Sequence, residues 1–344
     1  MSVREGMVPE WEAVEAVLLA WPHASTDWQP WLAAIEQDYV ALATAIADTA
    51  VPLILCQDAA HQAHIEGLLA GRCRQAPHLV QAPYNDTWCR DYGPVAVRRE
   101  GQLTLLDFQF KGWGDKYDAR LDNGINQRLA ALWQAPLVTV EYELEGGSIE
   151  TDGQGGLLTT AHCLLDSNRN KGYDKPAVEA LVLGQLGLER IQWISEGALL
   201  GDDTDSHIDN LVRYCGEGTI AYLACSREDD VHHAGLAAMR EQVLALRRRD
   251  GSPYRCVAIE LPEARFEETG ARLPASYVNF LILNERVLVP VFGCSQDALA
   301  LDALAGCFPD KTLVPVPGGN LIRQFGGPHC ATMQLPRGSL RLPR

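Results

Sequence analysis

A rhythm that runs the whole length of this chain constrains its fold most: short β-rich runs recur in pairs, and single helical stretches separate the pairs. The runs are "AVLLAW", "VPLILC", "PVAVRR", "LTLLDF", "LVTVEY", "GLLTTAHCLL", "RIQWI", "TIAYLAC", "YRCVAIEL", "YVNFLIL" and "RVLVPVF". Their length and their β-branched and aromatic content read as strands. Between them, "PWLAAIEQDYVALATAIAD" sets Leu32, Ile35, Tyr39, Leu42 and Ile46 on one helical stripe. "DKPAVEALVLGQLG" reads as a helix capped by Asp174 and closed by Gly187. "DDVHHAGLAAMREQVLALRRRDG" reads as a helix ending in basic residues and Gly251, and "SQDALALDALAGCF" as one capped near Ser295. No Pro/Ser/Gly-rich linker, low-complexity tract or clear repeat interrupts this order. The pattern excludes a helical bundle and predicts an α/β fold built as a single domain over residues 1–344. It does not separate an open sheet from a closed or pseudo-symmetric ring.

Composition narrows the function. With 344 residues, 47% of them hydrophobic, the chain is able to bury a large core without staples. Its formal charge of −16 argues against nucleic acid and against an anionic membrane surface as partners, and favours encounter with a small cation. The ten cysteines are scattered with no CxxC pair, so they read as small buried hydrophobes in a reducing compartment rather than a disulfide framework. The N-terminal stretch lacks a basic region followed by a sufficient apolar run, and the most apolar window is broken by Asp48 and Pro52. These features predict a cytoplasmic protein, with the oligomeric state, homo-oligomer included, left open.

Four segments concentrate reactive groups at strand ends or Gly/Pro turns: "YNDTWCRDYGP", "LEGGSIE", "GDDTDSHIDN" and "FGGPHCATMQ". The third packs Asp202, Asp203, Asp205 and Asp209 around His207. Four carboxylates so close call for a positive charge. Calcium is a poor fit, because no register supplies Gly at the sixth and Glu at the twelfth loop position. Zinc is no better: neither three nitrogen or sulfur ligands nor an HExxH helix is present, so the expected metal is none. Turn capping explains one or two of the acids. On an entering strand, His207 and Asp209 at i and i+2 would point to the same face. Cys330 follows a Gly-Gly-Pro approach that presents its sulfur openly, and a His/Asp pair is the partner a nucleophilic thiol needs.

These residues carry a family resemblance. WxRD, EGG, HxD and a late HC resemble the guanidine-modifying superfamily, in particular the agmatine deiminases and the related bacterial-type peptidylarginine deiminases. The similarity runs from "EWEAVEAVLLAWPH" through "NDTWCRDYGPVAV", "KGWGDKYD", "LEGGSIETDGQGGLLTTAHCLLDSNRN", "GDDTDSHIDN" and "ASYVNFLI" to "HCATMQ", in the family's order. It implies a five-bladed α/β propeller of pseudo-symmetric ββαβ units around a central site. It also implies hydrolysis of a guanidinium to a ureido group with release of ammonia, without a metal or cofactor; for agmatine the product is N-carbamoylputrescine, on the way to putrescine.

Carried over position by position, the resemblance makes Cys330 the nucleophile and His207 the general acid and base. Asp91 and Asp209 become the clamps on the guanidinium, and Glu145 the carboxylate that raises the His207 pKa and fixes its tautomer. A guanidinium offers a planar fork of N–H donors that matches carboxylates bidentately, so the cation the acids await is the substrate. Asp202, Asp203 and Asp205 are expected to receive the distal ammonium of agmatine, and Trp88 and Trp113 to wall its aliphatic spacer. Two aspartates near Cys330 should hold its thiol protonated until the substrate cation arrives. The chain departs from the family at "QFGGPHC", where many members have a run like GGGNxHC; Pro328 removes one backbone N–H. Cys89 inside "WCRD" reads as a small buried side chain. Alternatives are a deiminase of peptidyl-arginine or another guanidine, and a catalytically inactive binding propeller.

Overall fold

The computed structural model describes residues 4–341, so the extreme ends of the 1–344 unit lie outside it. Five sheets repeat one plan. In each, a first strand pairs antiparallel with a second, a helical crossover follows, and the third strand lies parallel to the second. The first blade holds Val95–Arg99, Gln102–Gln109 and Leu137–Glu143, with Gly6–Met7 added beside its first strand. The second holds Ile149–Thr151, Gly156–Thr160 and Arg190–Ile194; the third Val212–Tyr214, Thr219–Ala224 and Arg255–Glu260. The fourth holds Leu281–Leu283, Arg286–Val291 and Thr312–Pro317. The fifth joins the chain ends: Thr332–Pro336 pairs with Val14–Ala20, which continues to Val51–Cys56 and His78–Gln81. This is the five-bladed α/β propeller, its ring closed by the C-terminal strand lying against the N-terminal one.

Local chemistry sets the crossovers. The stripe Ile35, Tyr39, Leu42, Ile46 is buried on the helix Leu32–Ala47. Asp174 caps Lys175–Leu186 by accepting the Ala177 N–H at 3.0 Å, and Gly187 closes it with φ 64°. The expected helix through the "RRRDG" run is shorter, His233–Ala245: Leu246 turns to extended backbone to bury its side chain, and Arg247 bonds the freed carbonyls of Leu244 and Leu246. Ser295 stands at the N-cap of Gln296–Cys307 but makes no capping bond to it. Two strand expectations are also corrected. "GLLTTAHCLL" is strand only to Thr160, whose hydroxyl then caps a helical turn, Ala161–Leu164. "YVNFLIL" is strand only over its last three residues.

The first strand of every blade begins just after a turn that faces the middle of the molecule. Those turns carry the reactive segments: residues 88–92, 145–148, 207–210, 279 and 327–331. They touch one another. Arg90 N–H donates to the Cys330 carbonyl at 3.1 Å, Gly147 N–H to Asp91 Oδ1 at 2.9 Å, and the Asn279 side-chain amide to Asn210 at 3.1 Å. Among the described residues no helix is long and apolar enough to cross a membrane.

Candidate active site

A cavity of about 260 Å³ opens over these turns, lined by Cys330 and Asp91 together with Trp88, Trp113, Tyr117 and Asp203. The sulfur of Cys330 lies 3.5 Å from Asp209 Oδ2 and accepts an N–H from Asn279 at 3.1 Å. Burial and the carboxylates of Asp209 and Asp91 push its thiol well above the ordinary cysteine value, which favours the protonated form.

His207 and Asp209 do not sit on a strand. His207 leads into the 3-10 turn Ile208–Asn210, and the strand starts only at Val212. The turn brings the two side chains together where strand alternation was expected to. The His207 imidazole, buried against water, places Nδ1 3.6 Å from Asp91 Oδ1 and Nε2 3.3 Å from Glu145 Oε2. Burial opposes its charge, but Asp91 and Glu145 outweigh it and hold its pKa well above the ordinary histidine value. Glu145 is itself gripped by Arg169 Nε at 2.8 and 2.9 Å; despite burial, His207 and Arg169 keep it below the ordinary carboxylate value. Asp91 is pushed up to about 6 by burial and by repulsion from Asp209 and Glu145, partly offset by His207. Asp209 is pulled down despite burial, chiefly by His329. Asp209 Oδ1 and His207 Nδ1 are buried with no hydrogen-bond partner among the described residues. An unmet buried carboxylate oxygen demands an explanation, and an N–H-rich ligand gives one for Asp209 Oδ1.

The walls and mouth sort the other expected residues. Trp113 occupies left-handed backbone, φ 56°, and donates its indole N–H to Asp91 Oδ2 at 3.0 Å while lining the cavity. A bulky residue held there is strained, and that strain aims the ring. Trp88 also lines the cavity, leaning on Trp28. Of the three remaining acids of "GDDTDSHIDN", only Asp203 reaches the cavity, where it accepts the Tyr117 hydroxyl at 2.8 Å. Asp202 is absorbed by its own turn, accepting from Thr204 and the Ser206 N–H. Asp205 is already paired with Lys116 and Arg169 at 2.8 and 2.7 Å. Asp27 and Asp86, which sequence reasoning missed, line the cavity beside Asp203. Burial lifts Asp86 to about 7, with neighbouring Asp27 adding repulsion. Asn279 and Arg169 were missed as well; both lie inside quoted motifs, "ASYVNFLI" and "LLDSNRN", and that was their signal.

Among the described residues, two sets bring metal-capable atoms within 4.8 Å of one another: Glu145, Cys163 and His207, and Glu10, Glu150 and His329. Each set already faces a guanidinium. Arg169 binds Glu145, while Arg213 binds Glu10 and Glu150. A metal ion would be repelled from both, so these donor sets do not fit one.

The sequence profile of the Porphyromonas-type peptidyl-arginine deiminase family matches residues 6–336. A Vibrio parahaemolyticus protein named "Putative agmatine deiminase" is 32% identical, with 95% of each chain covered. A crystal structure named for a "Putative Arginine Deiminase" of Porphyromonas gingivalis superposes with a TM-score of 0.92 at 40% identity, covering 98% of this chain and 100% of that one. The structure of a cysteine-to-serine variant of C. jejuni agmatine deiminase with substrate bound superposes with a TM-score of 0.90 at 30% identity, covering 98% and 97%.

Proposed function

Because the chain belongs to the Porphyromonas-type peptidyl-arginine deiminase family, we propose that it hydrolyses agmatine to N-carbamoylputrescine and ammonia. The observation that carries this reading is the meeting of one thiol, one imidazole and two carboxylates: Cys330 and Asp91 line a cavity that also holds Asp27, Asp86 and Asp203, and His207 and Asp209 lie buried against them. Asp91 and Asp209 clamp the guanidinium and hold its carbon against Cys330 Sγ. Agmatine's four-carbon spacer runs between Trp88 and Trp113, and its ammonium meets Asp27, Asp86 and Asp203. The bound cation reverses the electrostatics that keep the thiol protonated, so the thiolate forms as substrate arrives.

The thiolate adds to the guanidinium carbon, and the C–N bond to the departing NH₂ breaks as the His207 imidazolium delivers its proton to that nitrogen. Ammonia leaves and an amidino-thioether remains. Neutral His207 then takes a proton from water as the oxygen adds to the same carbon. The C–S bond breaks with its electron pair going to sulfur, the proton of the added hydroxyl passes to that sulfur and restores the thiol, and the neutral carbamoyl product leaves. Glu145, anchored by Arg169, keeps His207 oriented and cationic between turnovers.

A second reading rests on Arg323. Its guanidinium lies over the Trp31 ring, 5.3 Å from the centroid, on the wall of the same cavity. A guanidine that also bears a carboxylate, such as free arginine, would pair with it. Ammonia release from agmatine, free arginine and a blocked arginine peptide separates the cases. Agmatine is expected to give the highest kcat/KM; arginine ahead of agmatine selects the second reading, and no release from any leaves only a binding role. We place the enzyme in the cytoplasm, a compartment that suits ten cysteines all free.

A further inference from the structure

His329, the residue before the nucleophile, is buried with carboxylates on both sides. Its Nδ1 lies 2.8 Å from Asp209 Oδ2 and its Nε2 2.6 Å from Glu10 Oε1. A carboxylate oxygen accepts, so each of these contacts needs a proton between its two heavy atoms. A neutral imidazole has only one N–H. The line Asp209–His329–Glu10 therefore holds two protons. The second sits on the ring or on one of the acids, and in either case the three groups together carry −1, not −2. The surroundings suit that count. Arg213 pairs with Glu10 and Glu150, and Arg90 lies 3.2 Å from Glu10 while its Nε–H faces the His329 carbonyl at 3.4 Å. Two guanidinium groups then balance Glu150 and the triad, and the buried network is neutral, as a low-dielectric interior requires.

The same Asp209 oxygen that faces His329 lies 3.5 Å from Cys330 Sγ. On the Cys330 side, the charged groups around it are Asp91 and His207. We propose that His329 and Glu10 are positioning residues for the reaction: they lodge a second proton behind Asp209, fixing that carboxylate for the guanidinium and lowering the charge of the triad beside Cys330 from −2 to −1. This deepens the reading of Cys330 as nucleophile and rests on it.

The test is a charge count in three proteins. Replacing the ring, His329→Asn, retains a side-chain donor for Asp209 but leaves Asp209 and Glu10 both ionised, a triad of −2. Adding Glu10→Gln returns the count to −1. The readout is the rate at which iodoacetamide alkylates Cys330, followed by peptide mass spectrometry from pH 6 to 10, which is independent of substrate. H329N is expected to slow alkylation at pH 8 by about tenfold or more, one unit of thiol pKa being a factor of ten. The double variant H329N/E10Q is expected to recover most of the loss. An unchanged rate in H329N, or a double variant no faster than H329N, overturns the proposal. A packing role alone predicts that the second substitution worsens the first. Should Asn at 329 prevent folding, H329Q with and without E10Q carries the same count. Failure to release ammonia from any guanidine would sink the agmatine reading and leave this titration standing.

Discussion

A Cβ added to Gly147 would lie 2.7 Å from His207 Nδ1, 2.8 Å from Asp91 Oδ1 and 3.0 Å from Asp209 Oδ2. Three groups proposed to act on the substrate thus close around one missing side chain, and none is a flexible tip able to swing clear. Gly147→Ala is expected to fold, with circular dichroism unchanged, and to lose about a hundredfold or more in kcat/KM for agmatine. Misplacement by about 1 Å at a reacting centre costs that much. Wild-type turnover in G147A would show that the three side chains do not act together. The residue scale is also where the sequence was most and least legible. Cys330, His207, Asp91, Asp209 and Glu145 were read from ordered motifs, and the structure brings all five together. The strand argument for His207 and Asp209 failed because a 3-10 turn, not alternation, sets their directions. Asp27 and Asp86 left no trace in spacing, since they meet Asp203 only through the fold.

At the scale of elements, the exposed crossovers were easier to read than the buried first strands. Helix periodicity and caps act within a few residues, so Asp174 and Gly187 marked out Lys175–Leu186 in advance. The first strands Ile149–Thr151, Val212–Tyr214 and Leu281–Leu283 are three residues long and wholly buried, too short to show any period. What fixes them is the turn before each, which has to present a reactive group inward. The caps give a prediction confined to stability. Asp174→Ala removes the acceptor for Ala177 N–H, far from the cavity. It is expected to lower unfolding free energy by about 1 kcal/mol in urea titration, with agmatine kinetics unchanged. A loss of activity without a loss of stability would contradict that assignment.

For the whole molecule, five blades each deliver a polar turn to one centre, which concentrates buried charge where a chain of net −16 least tolerates more of one sign. The pH dependence of stability follows from the direction of each shift. His207 is raised above its unfolded value, so its contribution is full below about pH 6.5 and is lost as pH rises through the folded value. Asp91, lifted to about 6, and Asp86, lifted to about 7, act in the same direction: ionising them in the folded state costs stability as pH rises from about 4. Asp209, Glu145 and Glu10 are pulled down, so their contribution is present above about pH 4 and is lost as pH falls through their folded values. The maximum should therefore lie at about pH 4 to 5, with stability falling from there through neutrality. Differential scanning fluorimetry of a Cys330→Ala protein, which cannot turn over, is expected to give a Tm several degrees higher near pH 6 than near pH 8. Surface repulsion predicts the same sign, but salt screens it; the buried contribution persists in high salt. Agmatine, by neutralising Asp91 and Asp86 in their ionised forms, should raise the Tm more at the higher pH and narrow the gap. A Tm that rises toward pH 8, or a gap that vanishes in salt, would mean that exposed charge rather than the buried centre governs the stability of this fold.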